Sequence, residues 1–272
     1  MGHVKALCLL ILLNFTVVDC WAQRGHFEPN PGANRTYSKK SIQNSYRTVY
    51  KAKLKGDNYI SITSQNHLLE KEIISNFKSM ISNYEERLGK IRGVKLKVLL
   101  LPPDEFFRLT KAPSWTNAIY INNKIIAPAS KIDLKHPEEL LKTIRHEISH
   151  SLVAHLSNGK CPGWLDEGLA QIAEDVDRKE LKVILENWLD GSDPIDLKTL
   201  SNGFIGLDKD MIAPAYAQSL FATDFLQTSV GEKRIGRYLE LLKRSEKESF
   251  TKSFGVALAD FEQHLAIKLR TP

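Results

Sequence analysis

Two histidines four residues apart, with a glutamate beside the first, mark the stretch Thr143-Ile144-Arg145-His146-Glu147-Ile148-Ser149-His150. On a helix, residues four apart share one face, so His146 and His150 can point at a common metal ion. Glu147 then sits one step round the helix, next to any water such a metal holds. Two neutral imidazoles and an adjacent carboxylate supply two ligands and a general base, the parts of a zinc hydrolase.

A catalytic zinc takes three protein ligands and keeps one position open for water. The third ligand must come from elsewhere in the chain. His155 is a decoy. The pattern H-E-x-x-H-x-x-G-x-x-H needs Gly at 153 and His at 156, and the chain has Val153 and Leu156 there. The stronger candidate lies in Trp164-Leu165-Asp166-Glu167-Gly168-Leu169-Ala170, which opens a second helix 14 residues after His150. A carboxylate in its first turn can return to the first helix across a tight turn, and His₂Glu is a known catalytic zinc set. Glu167 is therefore expected as the third ligand. Gly168 would allow a close helix approach beside it.

H-E-x-x-H followed by W-L-x-E-G-x-A resembles the gluzincins, zinc peptidases whose third ligand is Glu. The match is nearest to the peptidase-MA-like group, which shares W-L-x-E-G-x-A with aminopeptidase N relatives and is distantly similar to thermolysin. Glu174 falls where those relatives often carry a glutamate, and Ala215-Tyr216-Ala217-Gln218-Ser219 looks like the group's Y-A-Q-S stretch. The resemblance covers roughly residues 45–270. It implies one zinc per chain, held by His146, His150 and Glu167. It also implies Glu147 as general base and Tyr216 as a hydrogen-bond donor to the oxyanion. Asp166 and Glu174 would support the ligating imidazoles. The strand around 118–127 would lie alongside an extended substrate.

Two departures narrow the reading. Nothing in 115–130 matches the G-x-M-E-N segment with which aminopeptidases bind a free amino terminus, so an endopeptidase is favoured. Thermolysin relatives carry Asp four residues after the ligand Glu, and this chain has Gln171.

The elements that must position these groups follow from periodicity. Thr48, Tyr50, Ala52 and Leu54 alternate with polar neighbours, and after a Gly56-Asp57-Asn58 turn Tyr59 to Thr63 gives a second strand, hence a hairpin. A helical period runs from Ser64 to Leu88. Val94 to Leu101 is a dense apolar strand, and Asp104 to Thr110 a short helix. Ala118–Ile121 and Lys124–Ala127 flank Asn122-Asn123 as a second hairpin. From Pro137 the pattern is helical: Leu140, Leu141, Ile144, Ile148 and Leu152 make the stripe of the metal helix, and Asn158-Gly159 closes it. Helices are expected from about 164 to 175, 180 to 189, 213 to 228, 232 to 243 and 256 to 269. The polar stretch 190–211 reads as loop. The expected fold is α+β: a β-rich lobe over 45–135, then a mainly helical lobe over 136–272. The arrangement would be zincin-like, with the metal site between the lobes.

The chain of 272 residues is 42% hydrophobic and 26% charged, ordinary for a globular protein. Residues 1–22 read as a signal peptide: Lys5, an apolar run from Ala6 to Val18, and small residues before an expected cleavage after Ala22. The expected location is therefore secreted or periplasmic, with no transmembrane segment. Cys161 alone would survive that cleavage, so no intrachain disulfide is available. The net charge of +6 is uneven. Within 23–56, eight cations against Glu28 give +7. The first 22 residues sum to zero, so the rest of the chain carries −1. A flexible basic leader (23–44) running into a basic strand could touch an anionic surface. Nucleic acid is not expected, because no aromatic-basic interleaving accompanies the charge. The expected activity is an exported zinc-dependent peptidase acting on peptides or proteins. The alternatives are a non-catalytic, metal-containing envelope or binding module, and a zinc hydrolase of a non-protein amide or ester.

Overall fold

The computed structural model describes residues 48–64, 67–112, 116–130, 132–204 and 206–271. The expected signal peptide and basic leader lie outside the described residues. All five strands precede residue 129, and every element from residue 138 onward is helical. The fold is mixed α and β with a small sheet.

β1 (Thr48–Lys53) and β2 (Tyr59–Ser64) pair antiparallel, as their period-two pattern requires, across a single 3-10 turn at Lys55–Asp57. α1 (His67–Arg87) then crosses the sheet so that β3 (Lys95–Leu101) pairs parallel with β2. A parallel pair needs such a crossover, because no short turn can join two strands running the same way. After α2 (Pro103–Thr110), β4 (Ile119–Ile121) and β5 (Lys124–Pro128) form the second hairpin. Its turn residues Asn122 and Asn123 both have positive φ, 50° and 60°, the backbone of the tight turns that asparagine tolerates. β5 pairs parallel with β3, and the sheet order is β1-β2-β3-β5-β4. β4 is thus an edge strand.

The two sheet faces are covered differently. Ile60, Ile62, Leu96, Val98, Leu100, Ile125 and Ala127 point into the main core, with Leu69, Ile73, Phe77 and Tyr84 of α1. Leu101 and Ile119 meet Phe106 of α2 in a small separate cluster on the other face. The main core does not stop at the sheet. It runs on through Ile144, Ile148 and Leu152 of α3 (Glu138–Ser157), Trp164 and Leu165 of α4 (Gly163–Glu174), and Ala215, Tyr216 and Leu226 of α7 (Lys209–Val230). One continuous apolar core therefore joins the strand-bearing and helical parts.

The remaining helices are α5 (Arg178–Leu189), α6 (Leu197–Ser201), α8 (Glu232–Lys243), α9 (Ser249–Phe254) and α10 (Leu258–Arg270). Three helices differ from expectation. The 190–211 stretch, read as loop, contains α6, and α7 begins at Lys209 rather than near Ala213. The first turn of α7 is Lys209-Asp210-Met211, too polar to show a helical stripe. α9 was not expected at all. It is a six-residue turn held by burial of Phe250 and Phe254 against Tyr238, a tertiary contact that no local period reveals.

Candidate metal centre

α3 carries its ligand candidates because of its apolar stripe. Leu140, Leu141, Ile144, Ile148 and Leu152 are all buried, which fixes the helix rotation and leaves His146 and His150 on the opposite face, where Glu167 of α4 meets them. Both imidazoles are buried, at 3% and 0% exposure. Their rings stand 4.7 Å apart and nearly perpendicular. The helix ends where expected, at Asn158 with φ of 55° and Gly159 with φ of 71°. Left-handed geometry at this point stops the helix and releases the chain into the turn before α4.

α4 returns directly against α3. Glu167, fully buried, brings Oε1 to 3.4 Å from His146 Nε2 and Oε2 to 3.8 Å from His150 Nε2. Ligand atoms of His146, His150 and Glu167 all lie within 4.8 Å of one another. The three predicted ligands are thus brought together, from two helices joined by a short turn. His155 is not among them. It is half-buried in the last turn of α3, its carbonyl accepts from Lys243 Nζ at 3.2 Å, and burial, with Lys243 adding to it, lowers its pKa.

The far sides of the two imidazoles are each held by a carboxylate. His150 Nδ1 is 3.0 Å from Asp166 Oδ1, and His146 Nδ1 is 2.9 Å from Glu174 Oε2. A carboxylate at Nδ1 accepts a hydrogen bond from the ring N–H, which keeps the proton on Nδ1 and leaves the Nε2 lone pair facing Glu167. Arg145, directly before His146 on α3, donates to the carbonyls of Ala173 and Glu174 at 3.4 Å each. It thereby ties down the C-terminal end of α4, where a cation also suits the helix dipole.

The donor set fits zinc on two observations. Two ligands of one tetrahedral zinc, with bonds of about 2.0–2.2 Å, stand about 3.4 Å apart, and the spacings of 3.4 and 3.8 Å are of that size. The electrostatics agree. Burial alone pulls the His146 imidazole down, but the Glu167 carboxylate, then Glu174 and Glu147, hold it up at about 10. So negative a field at a buried point is one that a divalent cation would neutralise with both imidazoles unprotonated. Glu174 also responds to the pairing: burial raises it, but the hydrogen bond and charge of His146 bring it below its ordinary value.

Glu147 is buried, at 2% exposure, and follows His146 on α3. Tyr216 is also buried, at 3%, on α7, with its ring edge-on to Phe204 at 4.7 Å. Its backbone carbonyl accepts from Gln171 Nε2 at 3.0 Å. Gln171 therefore ties α4 to α7 and does not serve an imidazole. The close approach expected at Gly168 is present, with α7 as the neighbour. A Cβ there would lie 2.0 Å from Thr223 Oγ1 and 2.5 Å from the Ser219 carbonyl. Tyr84 was missed by sequence reasoning. Its hydroxyl lies 2.5 Å from Ser149 Oγ, beside His150. The only signal was a tyrosine on the apolar stripe of α1, which read as plain core.

Among the described residues no helix is long and apolar enough to cross a membrane. No protein-family model matches the chain, and no curated protein does so either. Solved structures do resemble it. A mutant of an M1 zinc metallopeptidase from Deinococcus radiodurans superposes with a TM-score of 0.50 at 13% identity, over 83% of this chain and 53% of that one. The same mutant bound to a Tyr-Ser-Ala substrate gives 0.50 at 14%, over 83% and 52%. The chain spans about half the length of these structures, and at such identities the likeness is one of fold.

Proposed function

We propose that this protein is a zinc-dependent hydrolase of peptide bonds, of the gluzincin type. The observation that carries the reading is the buried His146–His150–Glu167 cluster, with a carboxylate on the outer nitrogen of each imidazole. The fold likeness to M1 zinc metallopeptidases supports it. A purely structural zinc site would be closed by four protein ligands. Here three ligands converge and a buried glutamate stands beside the first.

His146, His150 and Glu167 would hold one zinc. When bound, the metal lowers the pKa of a water and polarises the scissile carbonyl. The work of the chain is then positional and protonic. Asp166 and Glu174 keep both imidazoles in the tautomer that presents Nε2. Glu147 accepts the proton of the attacking water at its carboxylate and passes it to the leaving amine. Tyr216 donates a hydrogen bond to the oxygen that develops negative charge. The edge strand β4 is the element along which an extended peptide would lie, placing the site between the strand-bearing and helical parts. Endopeptidase action fits the missing amino-terminus-binding segment. Export fits the first 22 residues, and residues 23–56 would face an anionic surface.

The test is Glu147→Gln in the mature protein. Cleavage of an unstructured peptide library should fall by about a hundredfold to ten-thousandfold, the range expected for losing a general base, while zinc content stays near one per chain. Cleavage at the wild-type rate in that variant would remove Glu147 from the mechanism. A wild-type protein that binds no zinc would remove the reading altogether.

A further inference from the structure

Tyr84 belongs to α1, outside the ligand helices, yet its hydroxyl reaches both of them. It lies 2.5 Å from Ser149 Oγ on α3 and donates to the Leu169 carbonyl of α4 at 3.4 Å. Ser149 directly precedes His150, and Leu169 is two residues beyond Glu167. All three residues are buried, with Tyr84 at 2%, Ser149 at 0% and Leu169 at 2%. The shorter contact makes Ser149 the principal partner.

The Nε2-to-carboxylate spacings at the metal site depend on how α3 and α4 sit against each other, because the ligands come from both. Sliding either helix would break a hydrogen bond in a water-excluded core and leave buried hydroxyls unsatisfied, a costly state. The apolar contacts around Tyr84 would tolerate small slips with little change in buried area. The hydroxyl bridge does not, because hydrogen bonds weaken steeply with distance and angle. α1 also packs directly on α3, so the bridge refers the ligand helices to an element braced against the sheet.

Resting on the zinc reading above, we propose that Tyr84 is a positioning residue that, through Ser149 and Leu169, holds His150 and Glu167 at metal-binding separation. A tyrosine serving only as core would affect stability and leave metal affinity alone.

The experiment measures the zinc dissociation constant of the full chain by competition with a chromogenic chelator. It compares wild type, Tyr84→Phe, Ser149→Ala and the double variant, with the thermal midpoint of each zinc-free protein measured alongside. Tyr84→Phe should bind zinc about tenfold more weakly, the lower end of the range for groups that support metal ligands. Ser149→Ala should lose a similar factor. The double variant should bind no worse than the weaker single one, because both substitutions break one bridge. Unchanged affinity in Tyr84→Phe, or losses that multiply in the double variant, would overturn the proposal. If Tyr84→Phe fails to fold, Ser149→Ala decides alone, and wild-type affinity there overturns it. A wild type without zinc would instead sink the metal reading itself, and this proposal with it.

Discussion

His150 Nδ1 and Asp166 Oδ1 stand 3.0 Å apart with both side chains buried, so the carboxylate that orients this imidazole is sealed from water. The counterpart at His146 is less enclosed, because the side chain of Glu174 keeps 14% of its surface. Asp166 sits immediately before Glu167, so one turn of α4 supplies both a candidate ligand and the partner of another candidate's imidazole.

That asymmetry gives an order of effects. Asp166→Asn should weaken zinc binding by about 10- to 100-fold, because a neutral amide raises the basicity of His150 less and cannot be replaced by solvent. Glu174→Gln should cost less, toward the lower end of that range, since water can reach the outer nitrogen of His146. Chelator competition on the two variants checks the ranking. Equal affinities, or a larger loss in Glu174→Gln, would count against the burial argument.

The two candidate histidine ligands were legible because their spacing is a property of one helix. His146 and His150 share a face by period alone, opposite the stripe of Leu140, Ile144, Ile148 and Leu152. Glu167 was legible because W-L-x-E-G-x-A follows H-E-x-x-H at a spacing that a tight helix-turn-helix can close. The hairpins were legible from alternation and from Asn122-Asn123. What was not legible depends on distant contacts. α6 and α9 are too short to carry a period. Gly168 signals a close helix approach, but that the approaching helix is α7 only tertiary packing could identify. Tyr84 and Ser149 are 65 residues apart, and nothing in either segment points to the other. The assignment of Asp166 to His150 and Glu174 to His146 needed coordinates, because either carboxylate could serve either ring from spacing alone.

Gly168 offers a test of the α4–α7 crossing. Its missing side chain lets Thr223 and the Ser219 carbonyl approach within distances no Cβ permits. The backbone oxygen cannot move aside as a flexible side chain would. Gly168→Ala should therefore destabilise the fold by about 1–3 kcal/mol, the usual cost of overpacking, despite alanine's better helix propensity. Thr223→Ala in the same chain should recover part of this loss and no more, because the Ser219 carbonyl stays. Urea unfolding of the three variants measures it, and a neutral or stabilising Gly168→Ala would show that the helices can separate freely.

Tyr84 also makes stability depend on alkaline pH. Burial is the main cause that pushes its phenol up to about 12, against an ordinary value of about 10 in an unfolded chain. Its Ser149 hydrogen bond works the other way. Between pH 10 and 12 the unfolded chain has lost this proton while the folded one keeps it. Stability falls wherever the folded state binds more protons, so the contribution is intact below about 10 and is lost as pH rises toward 12. At pH 11 the expected loss from this one group is about 1.4 kcal/mol, one decade of a two-decade shift. Tyr84→Phe has no such proton. Other tyrosines ionise in both proteins and cancel in the difference. Unfolding free energies of wild type and Tyr84→Phe at pH 8 and pH 11 should therefore converge by about that amount. Parallel losses in the two proteins would mean that the Tyr84 hydroxyl is open to solvent, which would also undercut its bridge to Ser149.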